Sequence, residues 1–406
     1  MVLGAPATAL TVTPVAGASS AATARSALAT SLTWSVAAVA PKPSFSLTSE
    51  ISGISCPDKT LCVAVAQNGD IFTSTDPIGG AGDWAVSDVD GNTAIDAISC
   101  PTSSLCVALD SRGNVLTSID PAAGATGTAN WDSTRGAFVG VSISCPTRTL
   151  CVAGDASGGI STSDDPTGGS SAWSTVVVDG ENYIDAMSCP TISLCAAGDD
   201  NGDVLVSTTA GSSGSWSVDH VDGTDPVTSI SCVPAARCVG GDLAGDVITT
   251  VDPTGPAGAW TVTQIDAPGG DAEPIQSISC QADHFCVAGD EAGNVLTSSS
   301  DGSGAGTWTT ADVSYAPITA MSCRTTRLCV GGSAAGALVS SIIPNGAATD
   351  WTTAAGIGAT WPIDAISCHS ARFCVASDWF GDVVASTDPT GGPTAWKVHT
   401  IDVRRG

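Results

Sequence analysis

Apolar residues along the chain come in short, often β-branched runs bounded by Gly, Pro, Asp and Ser. Such runs read as strands, and no helical period competes with them. From Ile54 they recur in fours. The first run is Ile-Ser-Cys or Met-Ser-Cys, as in Ile98-Ser99-Cys100, and the second is close to Cys106-Val107-Ala108. The third follows a glycine, as in Gly69-Asp70-Ile71-Phe72-Thr73-Ser74, and the fourth starts at a tryptophan, as in Trp84-Ala85-Val86. Successive first cysteines are 43 to 48 residues apart. An antiparallel four-stranded unit of that length is the size of a propeller blade, which buries its faces only against neighbouring blades. The pattern therefore predicts an all-β fold: a single β-propeller of eight four-stranded blades over 54–406. Small residues such as Ala97, Ser99, Ala186 and Ser188 suit its crowded inner strands.

The ends follow from the same pattern. Residues 1–30, rich in Ala, Thr, Ser and Val with Arg25 as their one charge, read as a disordered leader or the remnant of an export signal. Residues 31–53 carry a surplus tryptophan strand at Trp34. It is expected to close the ring against the last blade, because an unpaired edge invites aggregation.

Cysteines change the picture by naming the compartment. Eight pairs account for all 16: Cys56 with Cys62, Cys100 with Cys106, Cys145 with Cys151, Cys189 with Cys195, Cys232 with Cys238, Cys280 with Cys286, Cys323 with Cys329, and Cys368 with Cys374. Zinc sites bring two closely spaced pairs together or add histidines, and neither is seen here. Opposed residues of an antiparallel hairpin bring their Cβ atoms close. One disulfide per blade, joining its first two strands, is therefore expected. Paired cysteines imply an oxidising setting, so the chain is read as secreted or held in the cell envelope.

Charge narrows the partners. Asp and Glu number 40 against 13 Lys and Arg, a net charge of -27. Nucleic acid and anionic membrane surfaces are repelled by such a chain. No run is long and apolar enough to span a bilayer. The expected partner is a glycan or protein ligand met by a monomer.

Between the third and fourth strands run Ser74-Thr75-Asp76-Pro77 to Trp84, Ser163-Asp164-Asp165-Pro166 to Trp173, and Ser386-Thr387-Asp388-Pro389 to Trp396. This resembles the Asp-box, or BNR repeat, of sialidase-like propellers. Over 54–402 the repeat also looks like that of secreted actinobacterial Asp-box propellers related to photosystem II assembly factors. The resemblance implies the propeller fold, with the Asp bonding turn amides and the Trp packing between blades. The turn is longer than the motif, and Thr209-Ala210-Gly211 and Ile343-Pro344-Asn345 lack the acid.

In such a blade the two-to-three turns and the blade-to-blade loops share one face, and the cysteine hairpins share the other with the three-to-four turns. Aromatic residues that the repeat does not need fall on the first face: Trp361, Trp379, Phe380, Tyr183, Tyr315 and Phe138. Acids join them: Asp179, Glu181, Asp185, Asp199, Asp200, Asp222, Asp225, Asp271, Glu273, Asp290, Glu291, Asp364 and Asp378. Aromatics beside acids suit a carbohydrate or a cationic peptide. Trp361, Trp379, Phe380, Tyr183, Tyr315 and Glu181 are the expected ligand-binding residues of a non-catalytic binding or scaffold module. The basic residues Lys59, Arg148, Arg237, Arg324, Arg327 and Arg372, with His284 and His369, sit in the hairpins and read as solubilising charges.

The rival is a glycan-processing hydrolase on the sialidase-like fold. The resemblance would then demand an arginine cluster, a Tyr/Glu pair and an acid; Glu181 and Tyr183 are neighbours, but only Arg112 and Arg135 share their face. No catalytic residue is assigned, since none of the four histidines sits in a nucleophile motif. No cofactor is expected. Calcium is the one metal suggested, at Asp199-Asp200-Asn201-Gly202-Asp203, although this segment lacks the EF-hand loop's length and reads first as an Asp/Gly turn.

Overall fold

The computed structural model describes residues 50–401 except 127–129, 137, 211–215, 235–236, 256–258, 266–272, 282–284, 300–306 and 358. Trp34, the leader 1–30, Asp271 and His284 lie outside the described residues. The strands form eight four-stranded antiparallel sheets, each made from four consecutive strands. The blades span 51–88, 95–135, 140–177, 186–220, 227–264, 275–312, 318–354 and 363–400. In blade one the strands are Ile51–Asp58, Leu61–Ala66, Asp70–Ser74 and Trp84–Asp88. The first strand of every blade is innermost and packs against the first strands of both neighbours. Ile51–Asp58 meets Ile363–Ser370 of blade eight, which closes the ring. Ile51 to Gly53 thus belong to the inner strand of blade one.

Strand alternation explains the packing. Leu61–Ala66 is buried along its whole length. Its Cys62, Ala64 and Ala66 face blade eight, while Leu61, Val63 and Val65 face blade two. Every hydrophobic layer lies between two blades and contains one disulfide cysteine or more and one outer-strand tryptophan. Trp84, for example, packs with Phe373 and Val375 of blade eight. The tryptophans thus sit between blades, as the sequence predicts.

All eight expected disulfides form, with Cα–Cα distances from 4.0 to 4.2 Å. They join Cys56 to Cys62, Cys100 to Cys106, Cys145 to Cys151, Cys189 to Cys195, Cys232 to Cys238, Cys280 to Cys286, Cys323 to Cys329, and Cys368 to Cys374. In blades five to eight the two cysteines are direct cross-strand partners. The second cysteine of each pair stands on a strand flanked on both sides within its sheet. Cys62, Cys106, Cys151, Cys195, Cys238, Cys286, Cys329 and Cys374 are accordingly wholly buried. No free cysteine remains among the described residues. These bridges are therefore parts of the core, not of a surface site. Each closes a short hairpin loop and contributes about 2 kcal/mol by the chain-entropy relation.

Next to each first cysteine stands a serine with a job of its own. The Ser55 hydroxyl accepts the backbone N–H of Cys100 in the next blade at 3.1 Å. Ser99, Ser144, Ser188, Ser231, Ser279 and Ser322 accept from Cys145, Cys189, Cys232, Cys280, Cys323 and Cys368. Ser367 accepts from Cys56 at 3.1 Å, so the chain of bonds closes on itself. Small size is thus not the only reason for serine in the inner strands.

Two turn types finish the blade. A glycine at positive φ precedes the third strand of every blade. Gly69 has φ 86°, and a Cβ on it would lie 2.6 Å from the Gly91 carbonyl oxygen of the loop leaving blade one. At Gly293 (φ 92°) the same clash would come at 2.1 Å from Ser314. Only glycine lets the loop settle so closely on the turn. In the three-to-four turn, Ser74, Ser163 and Ser386 hydroxyls accept the N–H of Asp76, Asp165 and Asp388. Asp165 and Asp252 instead accept the hydroxyls of Thr167 and Thr254. The hydroxyl, rather than the acid, secures the turn, which corrects the role expected for the Asp. Ser207 and Ser341 do the same in blades four and seven, where the acid is missing.

Candidate functional site

Loops and two-to-three turns share one face of the ring. The interleaving is direct: Val89 and Asp90 donate to the Gly69 carbonyl, and Ser111 of the next turn donates to Ala94. Many acids expected on this surface lie beneath it instead. Asp199, Asp290 and Asp378 are fully buried, and Asp179 is nearly so. Asp199 Oδ1 accepts the N–H of Asn201 and Asp203, and Asp378 Oδ1 those of Phe380 and Asp382. Asp290 accepts from Asn294. Asp110 and Asp155 make the same cap in blades two and three. A carboxylate at the end of the second strand is therefore a turn cap of the kind Asp readily makes.

A second set of acids stands at the channel mouth. The second residue of the inner strand is Asp96 in blade two, Gln276 in blade six and Asp364 in blade eight. Asp185 holds the matching place in blade four, whose strand starts later, at Ala186. In the odd blades a hydroxyl near the same level bridges forward: Ser52 to Ile95 O, Ser142 to Ile184 O, Thr228 to Ile275 O and Thr319 to Ile363 O. Acids thus stand on three of the four even blades, and Glu50 adds a charge ahead of blade one.

These acids resist ionisation. Burial, then Glu50 and Asp378, push Asp364 up to about 7. Asp185 keeps an exposed edge, yet burial and then Asp200 and Asp199 raise it to about 6. Burial and Asp96 raise Glu50, and burial raises Asp96 despite the Gln67 amide that donates to it. No basic side chain among the described residues offsets them. Glu50 and Asp96 were missed from sequence; aligning the repeats at the second inner-strand position would have found Asp96.

The expected aromatics divide. Trp361, in the loop entering blade eight, stacks on Phe380 of that blade's turn with ring centroids 5.0 Å apart and planes 10° apart. The Trp379 backbone N–H donates to Pro362 O at 3.0 Å, tying turn to loop. Trp361 and Trp379 remain 45% and 54% exposed, which leaves them free to receive a ligand. Tyr183 lies four blades away, near the axis, where burial and then Asp185 and Asp96 raise its pKa. Its backbone N–H donates to Asp200 Oδ1. Glu181 is exposed in the same loop, and Tyr315 is exposed in the loop entering blade seven. Phe138 is not on the surface: it is buried against Trp173 at 5.6 Å. The structure therefore brings Trp361 and Phe380 together with Trp379 beside them, and shows no ring contact from them to Tyr183 or Tyr315 among the described residues.

No family model and no curated protein matches the chain. Solved structures do. The computationally designed Ika8 protein matches with TM-score 0.61 and 17% identity, over 83% of this chain and 96% of its own. YCF48 bound to D1 peptide matches with TM-score 0.53 and 12% identity, over 70% of this chain and 89% of its own. At such identities the likeness shows the propeller fold alone.

The basic residues also divide. Arg112 and Arg135 line a groove of about 530 Å³ on the loop face with Asp155 and Val139. Arg324 on the hairpin face donates from Nε to His369 O at 2.6 Å, linking blades seven and eight. Arg237, expected as a solubilising charge, is buried, 3% exposed. Among the described residues no helix is long and apolar enough to cross a membrane.

Proposed function

We propose that this chain is a non-catalytic binding propeller, exported or held in the cell envelope, that takes a cationic peptide segment at the channel mouth of its loop face. The observation that carries the reading is the company kept by the stacked Trp361–Phe380 pair. It stands on the same blade as Asp364, in a mouth that also holds Glu50, Asp96 and Asp185 without basic partners among the described residues. An acidic, partly dehydrated mouth favours Lys or Arg, and exposed indole faces add cation–π attraction. A glycan would use the aromatics and donate hydroxyls to single acids, whereas negative charge without basic partners selects a cation. YCF48, which shares the fold, is bound to a peptide in its solved structure. Export rests on the eight disulfides, which persist in oxidising compartments.

The test is fluorescence anisotropy with labelled oligolysine and oligoglutamate, beside a glycan array and fluorogenic glycosides. Oligolysine should bind, more weakly as salt rises. Trp361→Ala with Trp379→Ala should weaken it by about tenfold or more without changing the melting temperature. Equal binding of both peptides, or unchanged affinity in the double variant, would remove the proposed site. Glycan binding lost in that variant would assign the site to carbohydrate instead, and turnover of a glycoside would overturn the non-catalytic reading.

A further inference from the structure

Two groups of carboxylates lie outside that mouth, the first buried and the second centred on one buried acid. In blade four they are Asp179, Asp199 and Asp203; in blade five, Asp222, Asp242 and Asp246. In each group one oxygen per residue lies within 4.8 Å of the others. Asp199, Asp203 and Asp242 are wholly buried and Asp179 is 8% exposed. Asp179, Asp199, Asp203, Asp222 and Asp242 each leave Oδ2 buried without a partner, and Asp246 leaves Oδ1 so. Buried anionic oxygens with nothing to bond are costly, and native structures rarely keep them uncompensated.

Blades two, six and seven show that the fold does not ask for these acids. In blades two and six the third position is Asn114 or Asn294, whose side-chain amide donates to Asp110 Oδ2 or Asp290 Oδ2. In blade seven the three positions are Ser314, Ser333 and Ala337, and the Ser333 hydroxyl accepts the Ala337 N–H to make the same turn. Blades four and five replace the Asn donor by a third acid and so trade a satisfied oxygen for an orphaned one. His220 Nδ1 lies 2.6 Å from Asp203 Oδ1 and leaves Oδ2 unmet. Blade five has Gln264 at the place of that histidine.

We infer that blades four and five each hold a calcium ion, bound by Asp179, Asp199 and Asp203 in one and by Asp222, Asp242 and Asp246 in the other. Calcium takes oxygen ligands at about 2.3–2.6 Å, so oxygens on opposite sides of it stand roughly 4.6–5.2 Å apart, matching the observed spread. Carboxylates satisfy a hard cation, and water can complete the six to eight ligands it takes. Each ion would pin the loop arriving from the previous blade, through Asp179 or Asp222, to the turn of its own blade. The sites are independent of the channel-mouth reading and stand or fall without it.

The experiment is calorimetric titration of the chelator-treated full chain with calcium chloride, with melting curves at about 10 mM calcium and in chelator. Asp203→Asn and Asp246→Asn copy the Asn of blades two and six, so the turn has a native precedent. The wild type should take up two calcium ions, each single variant one, and the double variant none. Calcium should raise the melting temperature of the wild type by several degrees and leave the double variant unmoved. Absence of uptake by the wild type would overturn the inference and assign each carboxylate group a shared proton. Two ions retained by the double variant would overturn it as well.

Discussion

The hairpin end and the loop end of the ring are built from the same eight repeats, yet they treat repetition in opposite ways. At the hairpin end every copy carries Ser-Cys and a second Cys, and every serine bonds the next blade. At the loop end the second inner-strand position holds Ser, Asp, Val, Thr or Gln. Where a hydroxyl stands, it bridges to the next blade; where an Asp stands, an acid takes the place of that bridge. One end spends its sequence on closing the ring, and the other departs from the repeat where a ligand could be met. Departure from a repeat is thus informative only after the repeat's own structural needs are known.

The largest test of this contrast is to remove sulfur from the hairpin end. At about 2 kcal/mol each, the disulfides together rival the 5–15 kcal/mol that typically holds a folded domain. Reduced and alkylated protein should fail to regain its β-sheet circular dichroism at about 25 °C. A reduced chain that melted like the oxidised one would break the comparison. Next comes one serine of the closed belt. Ser144→Ala leaves the Cys189 N–H without its acceptor at the centre of the ring. The expected cost is about 1–3 kcal/mol, seen as a melting temperature lower by a few degrees. Trp379→Ala at the loop end should cost nothing measurable by the same readout.

Strand order and disulfide pairing were legible because each is a property of one repeat read alone; blade number followed from counting the repeats, and the interblade place of the tryptophans from the Asp-box resemblance. The serine belt was not, since its bond joins Ser55 to Cys100 and exists only between copies. Asp199 and Asp378 looked like surface acids because sequence tells which loop a residue joins but not that its carboxylate folds back onto turn amides. Phe138 misled in the same way: a loop position near Trp173 is covered by the neighbouring blade. Trp361 and Phe380 were readable as departures from the repeat, but their stacking depends on how the incoming loop lies across the turn.

The smallest effect concerns Asp364 and decides whether the loop end gives up stability to hold its charge. Burial, Glu50 and Asp378 raise this carboxyl to about 7, whereas in the unfolded chain it titrates near an ordinary aspartate, about 3.9. Below about pH 4 both states are protonated and the site imposes no cost. Between about 4 and 7 the unfolded chain releases the proton first, so stability falls as pH rises, and above that window the loss is complete. In chelator, the wild type should therefore melt higher at about pH 5 than at about pH 8. Asp364→Asn, which resembles the protonated acid, should narrow that gap by about a degree or two by raising the value at the higher pH. An unchanged gap would show that Asp364 sits comfortably ionised. The mouth would then be an ordinary solvated surface, and the contrast between the two ends would rest on the hairpins alone.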